Sequence, residues 1–404
     1  MRIAFTANGP GEVAGWLRPL LRALYQRRAD LSAVVFLVPD DYATGFEAQM
    51  VRETFPQAEI VEPKRYVKFA LGGRIEGIPT EVDALQYVGG DLLHAARLHA
   101  RLKGRAATYK FSRSRYRSLF DRAFAVDRRN AQELSAWGTP PERIEQVGNL
   151  AIDGALFEAS LPADPAPAPD GILIMPGSRS YEIENLVPFY MAVVLRMLHE
   201  RPDLPIAFAL SPFTPRDQVS LAIEKGGHPR MFGTTGRLVG ENGLDFLTTP
   251  NGDVRIPVVR NALAAAVRAR LVLTIPGTKT IELAVLGKPV ITITPLNAPE
   301  VVTINGPLTY LNRVPFIGNP LKRAVAVGLA RRFEHHTQPN MDAGAALVRE
   351  VHGTVTPGRI ARIALDAYDD RAWLKSAGEA LAGLYRDHVG AADRMAASLL
   401  ELAA

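Results

Sequence analysis

Three loops in this chain combine glycine, hydroxyl, basic and acidic residues in a pattern that a phosphate-bearing ligand could use. The first is Ile275-Pro276-Gly277-Thr278-Lys279-Thr280-Ile281-Glu282, behind the apolar run 271–274. Gly277 permits close backbone approach, the amides of residues 278 to 280 and the helix dipole attract phosphate, and Thr278 and Thr280 add hydroxyl donors. Lys279 adds positive charge. Glu282, about one turn on, offers a carboxylate to two ribose hydroxyls. A plain glycine-containing helix cap accounts for the same residues equally well.

The second loop, Pro176-Gly177-Ser178-Arg179, also stands between an apolar run and a helical stretch. Ser178 can cap a helix or bind phosphate, and the planar fork of Arg179 suits phosphate. Pairing of Arg179 with Glu182 is the alternative. The third loop, Asn8-Gly9-Pro10-Gly11-Glu12-Val13-Ala14-Gly15-Trp16, is open enough to admit a sugar or phosphate. Gly9, Gly11 and Gly15 do not follow G-x-G-x-x-G, so no dehydrogenase reading follows. Asp91, directly after 84–88 and Gly89-Gly90, can act as general base or as a helix N-cap. A base for an acceptor hydroxyl and donors for a departing diphosphate are what glycosyl transfer needs.

The elements that must position these loops follow from hydrophobic patterning. Apolar runs at 2–7, 33–39, 84–88 and 123–126 read as strands, with a helix at about 130–137. After the proline-rich stretch 161–169 the rhythm restarts: strand 172–175, helix 184–201, strand 206–210, then helix 260–268, strand 271–275, helix 280–286 and strand 290–294. Strands joined by helical crossovers make parallel sheets. Between them, 244–259 reads as a local hairpin turning at Asn251-Gly252 as a type I′ turn. Residues 359–404 read as Ala-rich helices. The expected fold is therefore α/β, with two Rossmann-like doubly wound domains facing a cleft and ligands outside the carboxyl ends of their strands. The first domain spans 1–160, the linker 161–169 and the second domain 170–371.

At 404 residues, two such domains are the natural division, and the 47% hydrophobic content supports packed cores. With no cysteine, disulfides and thiolate chemistry are excluded. No apolar stretch approaches the roughly 20 residues of a membrane span. Met1 runs straight into a short strand, unlike a signal peptide, so a cytoplasmic location is expected. The net charge is +5, yet 92–120 has no acidic residue and carries basic side chains from Arg97 to Arg117, with Tyr109, Phe111, Tyr116 and Phe120 interleaved. That stretch suits an anionic membrane surface, a phosphorylated acceptor, RNA or plain solvent. His94 and His99 are too isolated to suggest a metal site, so neither metal nor cofactor is expected.

Together these loops resemble the lipid-A-disaccharide synthase family, inverting glycosyltransferases of the GT-B fold that use a UDP-linked sugar. The resemblance covers most of the chain. It rests on Gly11-Glu12-Val13-Ala14-Gly15, Val88-Gly89-Gly90-Asp91, Val147-Gly148-Asn149, Pro176-Gly177-Ser178-Arg179 with Glu182 and Glu184, and Gly277 to Glu282, in that order. It implies Asp91 as the essential acid, Arg179 as an important arginine, Glu282 as the ribose-binding glutamate and Asn319 as a functional asparagine. It also implies that the last helices, about 372–404, pack back on the first domain. Trp16 stands where the family has aspartate, and Tyr109 to Tyr116 replaces a tryptophan-rich acceptor segment, which points to a different acceptor.

The function expected is inverting transfer of a sugar, N-acetylglucosamine or a derivative, from a UDP donor to a lipid-linked or phosphorylated sugar acceptor. Gly177, Ser178, Pro276, Gly277, Thr278, Lys279, Thr280, Glu282 and Asn319 would bind the donor. Asp91 and Arg179 would be catalytic, and Gly9, Gly11, Glu12, Gly15 and Asn149 would line the acceptor side. Peripheral placement on the inner face of the membrane through Arg97 to Arg117 fits this reading, nucleic acid is not the expected partner, and a homodimer is compatible with it. The alternatives are a non-hydrolysing UDP-sugar epimerase on the same fold and a non-catalytic protein binding nucleic acid or membrane.

Overall fold

The computed structural model describes residues 1–39, 45–78, 80–110, 116–162, 170–298 and 334–404. Asn319, Phe111 and residues 163–169 of the linker lie outside them. The chain forms two compact units, one of 1–157 with 386–404 and one of 158–385.

The first unit is built on seven parallel strands: β1 (Arg2–Ala7), β2 (Ser32–Leu37), β3 (Glu59–Val61), β4 (Ala84–Tyr87), β5 (Arg105–Tyr109), β6 (Arg122–Ala125) and β7 (Ile144–Gln146). Their order is β3-β2-β1-β4-β5-β6-β7. Continuous burial along Ile3-Ala4-Phe5-Thr6-Ala7 and Ala33 to Leu37 reflects cover on both faces, the reason these strands read as unbroken apolar runs. The helix Leu150–Ser160 crosses close to the segment after β1, because a Cβ on Gly154 would meet the Gly15 carbonyl oxygen at 3.0 Å.

The last helix of the chain, Ala391–Leu402, belongs to this unit. Asp153 accepts hydrogen bonds from the amides of Gly390 (2.8 Å) and Ala392 (2.6 Å). Arg27 grips Asp393 with two donors, at 2.8 and 2.6 Å. The helix before it, Arg371–Leu384, was expected to return as well but stays with the second unit. Its Trp373 lies 3.8 Å under the Arg349 guanidinium, and Gly378 packs against the Gly287 backbone.

The second unit holds β8 (Ile172–Met175), β9 (Ile206–Ala209), β10 (Arg237–Glu241), β11 (Leu244–Thr248), β12 (Arg255–Val259), β13 (Leu271–Thr274), β14 (Val290–Pro295) and β15 (Arg349–Gly353). Their order is β10-β11-β12-β9-β8-β13-β14-β15, antiparallel only from β10 to β12. The long helix Ser180–Glu200 buries Ile183, Val187, Phe189, Tyr190, Val194 and Met197 in the main core. The type I′ dipeptide is Asn242-Gly243, between β10 and β11, where both residues have positive φ (51° and 78°). At Asn251-Gly252 only the glycine does, and that loop is wider.

Glu350 on β15 accepts from the amides of His336 (2.8 Å) and Thr337 (2.9 Å), the Thr337 hydroxyl and Asn340. Burial pushes its carboxyl upward, but these donors together hold it below the ordinary value of 4.5. A depressed carboxylate stabilises the fold above its unfolded pKa and loses that contribution as pH falls through the folded one. Acid unfolding of the second unit below about pH 4.5 should therefore be shallower in Glu350→Gln than in wild type, as followed by circular dichroism.

Candidate functional site

In the second unit the sheet is wound outward from β8, to β9 on one side and later to β13 on the other. That reversal makes β8 and β13 the switch point, so their following loops open side by side. The Thr274 hydroxyl donates to the Met175 carbonyl (3.0 Å) and the buried Tyr190 hydroxyl to the Thr274 carbonyl (3.1 Å), locking the two strand ends together.

After β13, Gly277 is exposed with nothing within 4 Å of where a Cβ would stand. Its φ lies outside the left-handed region, so neither backbone conformation nor packing demands glycine there. Thr280 turns inward, its amide and hydroxyl both donating to the Gly277 carbonyl (3.0 and 2.7 Å). Thr280 therefore shapes the loop, while Thr278 and Lys279 stay at the surface. Glu282 is mostly buried and its carboxylate lies 2.5 Å from Lys279 Nζ. The helix that follows, Lys279–Val285, has only two turns.

The loop after β8 is closed from within. Glu182, 5% exposed, accepts from the amides of Ser178 (2.8 Å) and Arg179 (2.9 Å) through one oxygen. Its other oxygen accepts from the Tyr181 hydroxyl (3.0 Å) and lies 3.7 Å from Arg179 Nη1. Gly177, at φ +109°, leaves the space that this carboxylate fills. The amides of Ser178 and Arg179 are thus taken by an internal anion, and the Arg179 guanidinium is half-exposed. The Glu182 carboxylate, accepting from the Arg179 amide at the helix N-cap, starts the helix at Ser180, earlier than the 184 expected.

The first unit has its own switch point between β1 and β4, where the Asn8–Trp16 loop and Gly89-Gly90-Asp91 meet. A side chain on Gly89 would collide with the Glu12 carboxylate and with Asn8. Past Gly9, Gly11 and Glu12 the backbone makes a π-helical turn, Val13–Leu17, a form often found at functional sites. Gly15 meets the Leu150–Ser160 helix rather than opening onto the loop. Asn149 caps that helix, its Oδ1 accepting from the Ala151 amide (3.1 Å). Asp91 is exposed and likewise caps its helix, Leu92–Leu102, accepting from the Leu93 amide (2.7 Å). The Tyr87 hydroxyl donates to the Gly90 carbonyl, and burial, then Glu12 and Asp91, push its pKa up.

Sequence reasoning set His94 aside as too isolated for a metal site and gave Lys110 no role beyond the basic stretch. His94, one turn beyond Asp91, has its Nδ1 2.6 Å from the hydroxyl of buried Tyr66. Burial depresses its imidazole, Asp91 pulls the value back and Arg97 deepens the depression. Lys110 holds its ammonium 5.3 Å over the Trp16 ring. Much of the basic stretch is locally engaged: Arg101 donates to Gly73 and stacks on Phe69, and Arg105 pairs with Asp121 at 3.1 Å. Among the described residues no three His, Asp or Glu side chains gather as metal ligands, and no helix is long and apolar enough to cross a membrane.

Two α/β units, each wound outward in both directions from a switch point, define the class of fold, and solved structures share it. The chain is similar to MnaA of S. aureus, solved with UDP (TM-score 0.59, 15% identity, 99% of this chain and 97% of that one). It is also similar to UDP-GlcNAc 2-epimerase from Neisseria meningitidis bound to UDP-GlcNAc (0.55, 12%, 99% and 100%). A third likeness is to the glycotransferase of kitacinnamycin (0.50, 16%, 99% and 98%). The fold these neighbours share with the chain is the α/β GT-B fold. In sequence, the chain is 29% identical over 149 residues to lipid-A-disaccharide synthase from Ruegeria pomeroyi, spanning about a third of that protein (33%) and 35% of its own length. No family model matches it.

Proposed function

We propose that this protein is a glycosyltransferase that moves a sugar, N-acetylglucosamine or a derivative, from a UDP donor to a lipid-linked or phosphorylated sugar with inversion. The observation that carries this is the pair of adjoining loops at the second unit's switch point, with Gly277 open and the Glu282 carboxylate one turn behind it. In this reading the Gly277 loop holds the diphosphate, Glu282 the ribose, and the Arg179 guanidinium the charge that develops on the leaving diphosphate. Asn319 joins the donor side. The first unit supplies the proton acceptor, for which the family resemblance nominates Asp91, with Gly9, Gly11, Glu12 and Asn149 on the acceptor side. Solved neighbours of this fold hold UDP and UDP-GlcNAc, which supports the donor class.

Calorimetric titration with UDP, UDP-glucose and UDP-N-acetylglucosamine tests the donor site. Gly277→Ala should leave thermal stability within about 0.5 kcal/mol, since its Cβ meets open space, yet weaken UDP binding about tenfold. Equal UDP affinity in that variant would remove the loop from the site. Product masses from UDP-sugars with a cell lipid extract test the transfer.

Epimerisation of a UDP-sugar is the second reading, favoured by the epimerase among the neighbours and by His94 beside Asp91. NMR of the donor incubated without acceptor separates the two: a new epimer supports epimerisation, an unchanged donor supports transfer.

A further inference from the structure

We propose that His94 is the catalytic base, its Nδ1–H donating to the Tyr66 oxygen while Nε2 takes the proton of the acceptor hydroxyl, with Asp91 steadying the imidazolium that forms. This rests on the transfer reading above.

The geometry is that of an oriented imidazole. Tyr66 is 1% exposed, and its hydroxyl oxygen lies 2.6 Å from His94 Nδ1. The two rings also meet edge to face, 5.2 Å apart at 76°. A hydrogen bond and a ring contact from one anchored side chain fix both the tilt of the imidazole and the nitrogen left over, which is how second partners prepare a histidine for proton transfer. Asp91 heads the same helix three residues earlier, so the two side chains share one side of its first turn. The helix opens at the carboxyl end of β4, beside β1, where the sheet reverses.

Chemistry divides the labour between the two residues. Asp91 already spends Oδ1 on the Leu93 amide, which holds its carboxylate in place. A fixed carboxylate near an imidazole stabilises the cation, and the imidazole is the side chain that exchanges protons near neutrality. The groups facing His94 are Tyr66 from the helix Pro63–Ala70 and Asp91 and Arg97 from its own helix. Burial lowers the imidazole's pKa from its ordinary value, which favours the neutral form that can accept a proton. In the step itself the acceptor O–H bond breaks and its proton passes to Nε2. The oxygen bonds to the anomeric carbon, and the carbon–oxygen bond to the diphosphate breaks with its electron pair leaving on UDP.

Nitrogen-15 NMR of the ring gives the first test. The Nδ1–H tautomer is expected, with a midpoint below the ordinary 6.5 that falls further in Asp91→Asn. The Nε2–H tautomer, or no response to Asp91→Asn, would overturn the proposal. The second test is transfer to the lipid extract: His94→Asn should slow product formation about a hundredfold, the usual scale of a lost general base, at unchanged UDP affinity. A rate within threefold of wild type would overturn it. Tyr66→Phe serves if His94→Asn does not fold, and should move the acid limb of the pH–rate profile; an unmoved limb counts against the assignment. If wild type makes no product while UDP binds, the transfer reading falls and the base role falls with it, whereas product from wild type with an unslowed His94→Asn overturns the base role alone.

Discussion

Replacing Glu282 by alanine should lower the affinity for UDP about 50-fold in calorimetry, while inorganic pyrophosphate binds as well as before or better. The carboxylate sits one turn behind the Gly277 loop, mostly buried, and a ribose diol would donate two hydrogen bonds to it. Hydrogen bonds to a charged group contribute about 1.5–3 kcal/mol each, and part of that is offset here because Lys279 must share or yield the carboxylate. A net loss of about 2.3 kcal/mol is the expected result, and 1.4 kcal/mol is a factor of ten. The pyrophosphate arm separates the roles, because alanine at 282 releases the Lys279 ammonium toward any anion on the loop. UDP binding within twofold of wild type would place the ribose elsewhere.

Gly177→Ala should lower the melting transition of the second unit by roughly 10 °C and leave that of the first unit in place. Two costs add. The position has φ +109°, where an L side chain is strained by about 1–3 kcal/mol. The added Cβ also runs into the Glu182 carboxylate, which must withdraw from the amides of Ser178 and Arg179. Losing bonds from a buried carboxylate costs about 1.5–3 kcal/mol more, and each kcal/mol moves the transition of a unit this size by about 2–4 °C. Calorimetry of the full chain reads both transitions. A shift below about 2 °C would mean that the carboxylate is not held as described.

How much of this was legible in the sequence depended on burial. β1, β8 and β13 lie inside their sheets, covered on both faces, and read directly as apolar runs with nearly their final limits. β3, β7 and β15 are edge strands, short or polar, and β5 begins inside the basic stretch; none carried a pattern that set it apart. The two Asn-Gly dipeptides were equivalent as text, and only the close pairing of β10 with β11 selects Asn242-Gly243 for the tight turn. The loops at the switch points were visible because each follows a strand. What filled them was not. Glu182 fits the loop only because the backbone doubles back over three residues, and His94 acquires its meaning from Tyr66, 28 residues earlier in the chain.

The return of residues 386–404 to the first unit carries a consequence for synthesis. A ribosome makes the seven strands of that unit first and the Ala391–Leu402 helix after the entire second unit. Until then the helix Arg18–Arg27 lacks the neighbour that covers it, and Asp153 lacks the amides of Gly390 and Ala392. The unit begun first is therefore finished last, and its apolar flank waits exposed through the making of more than half the chain.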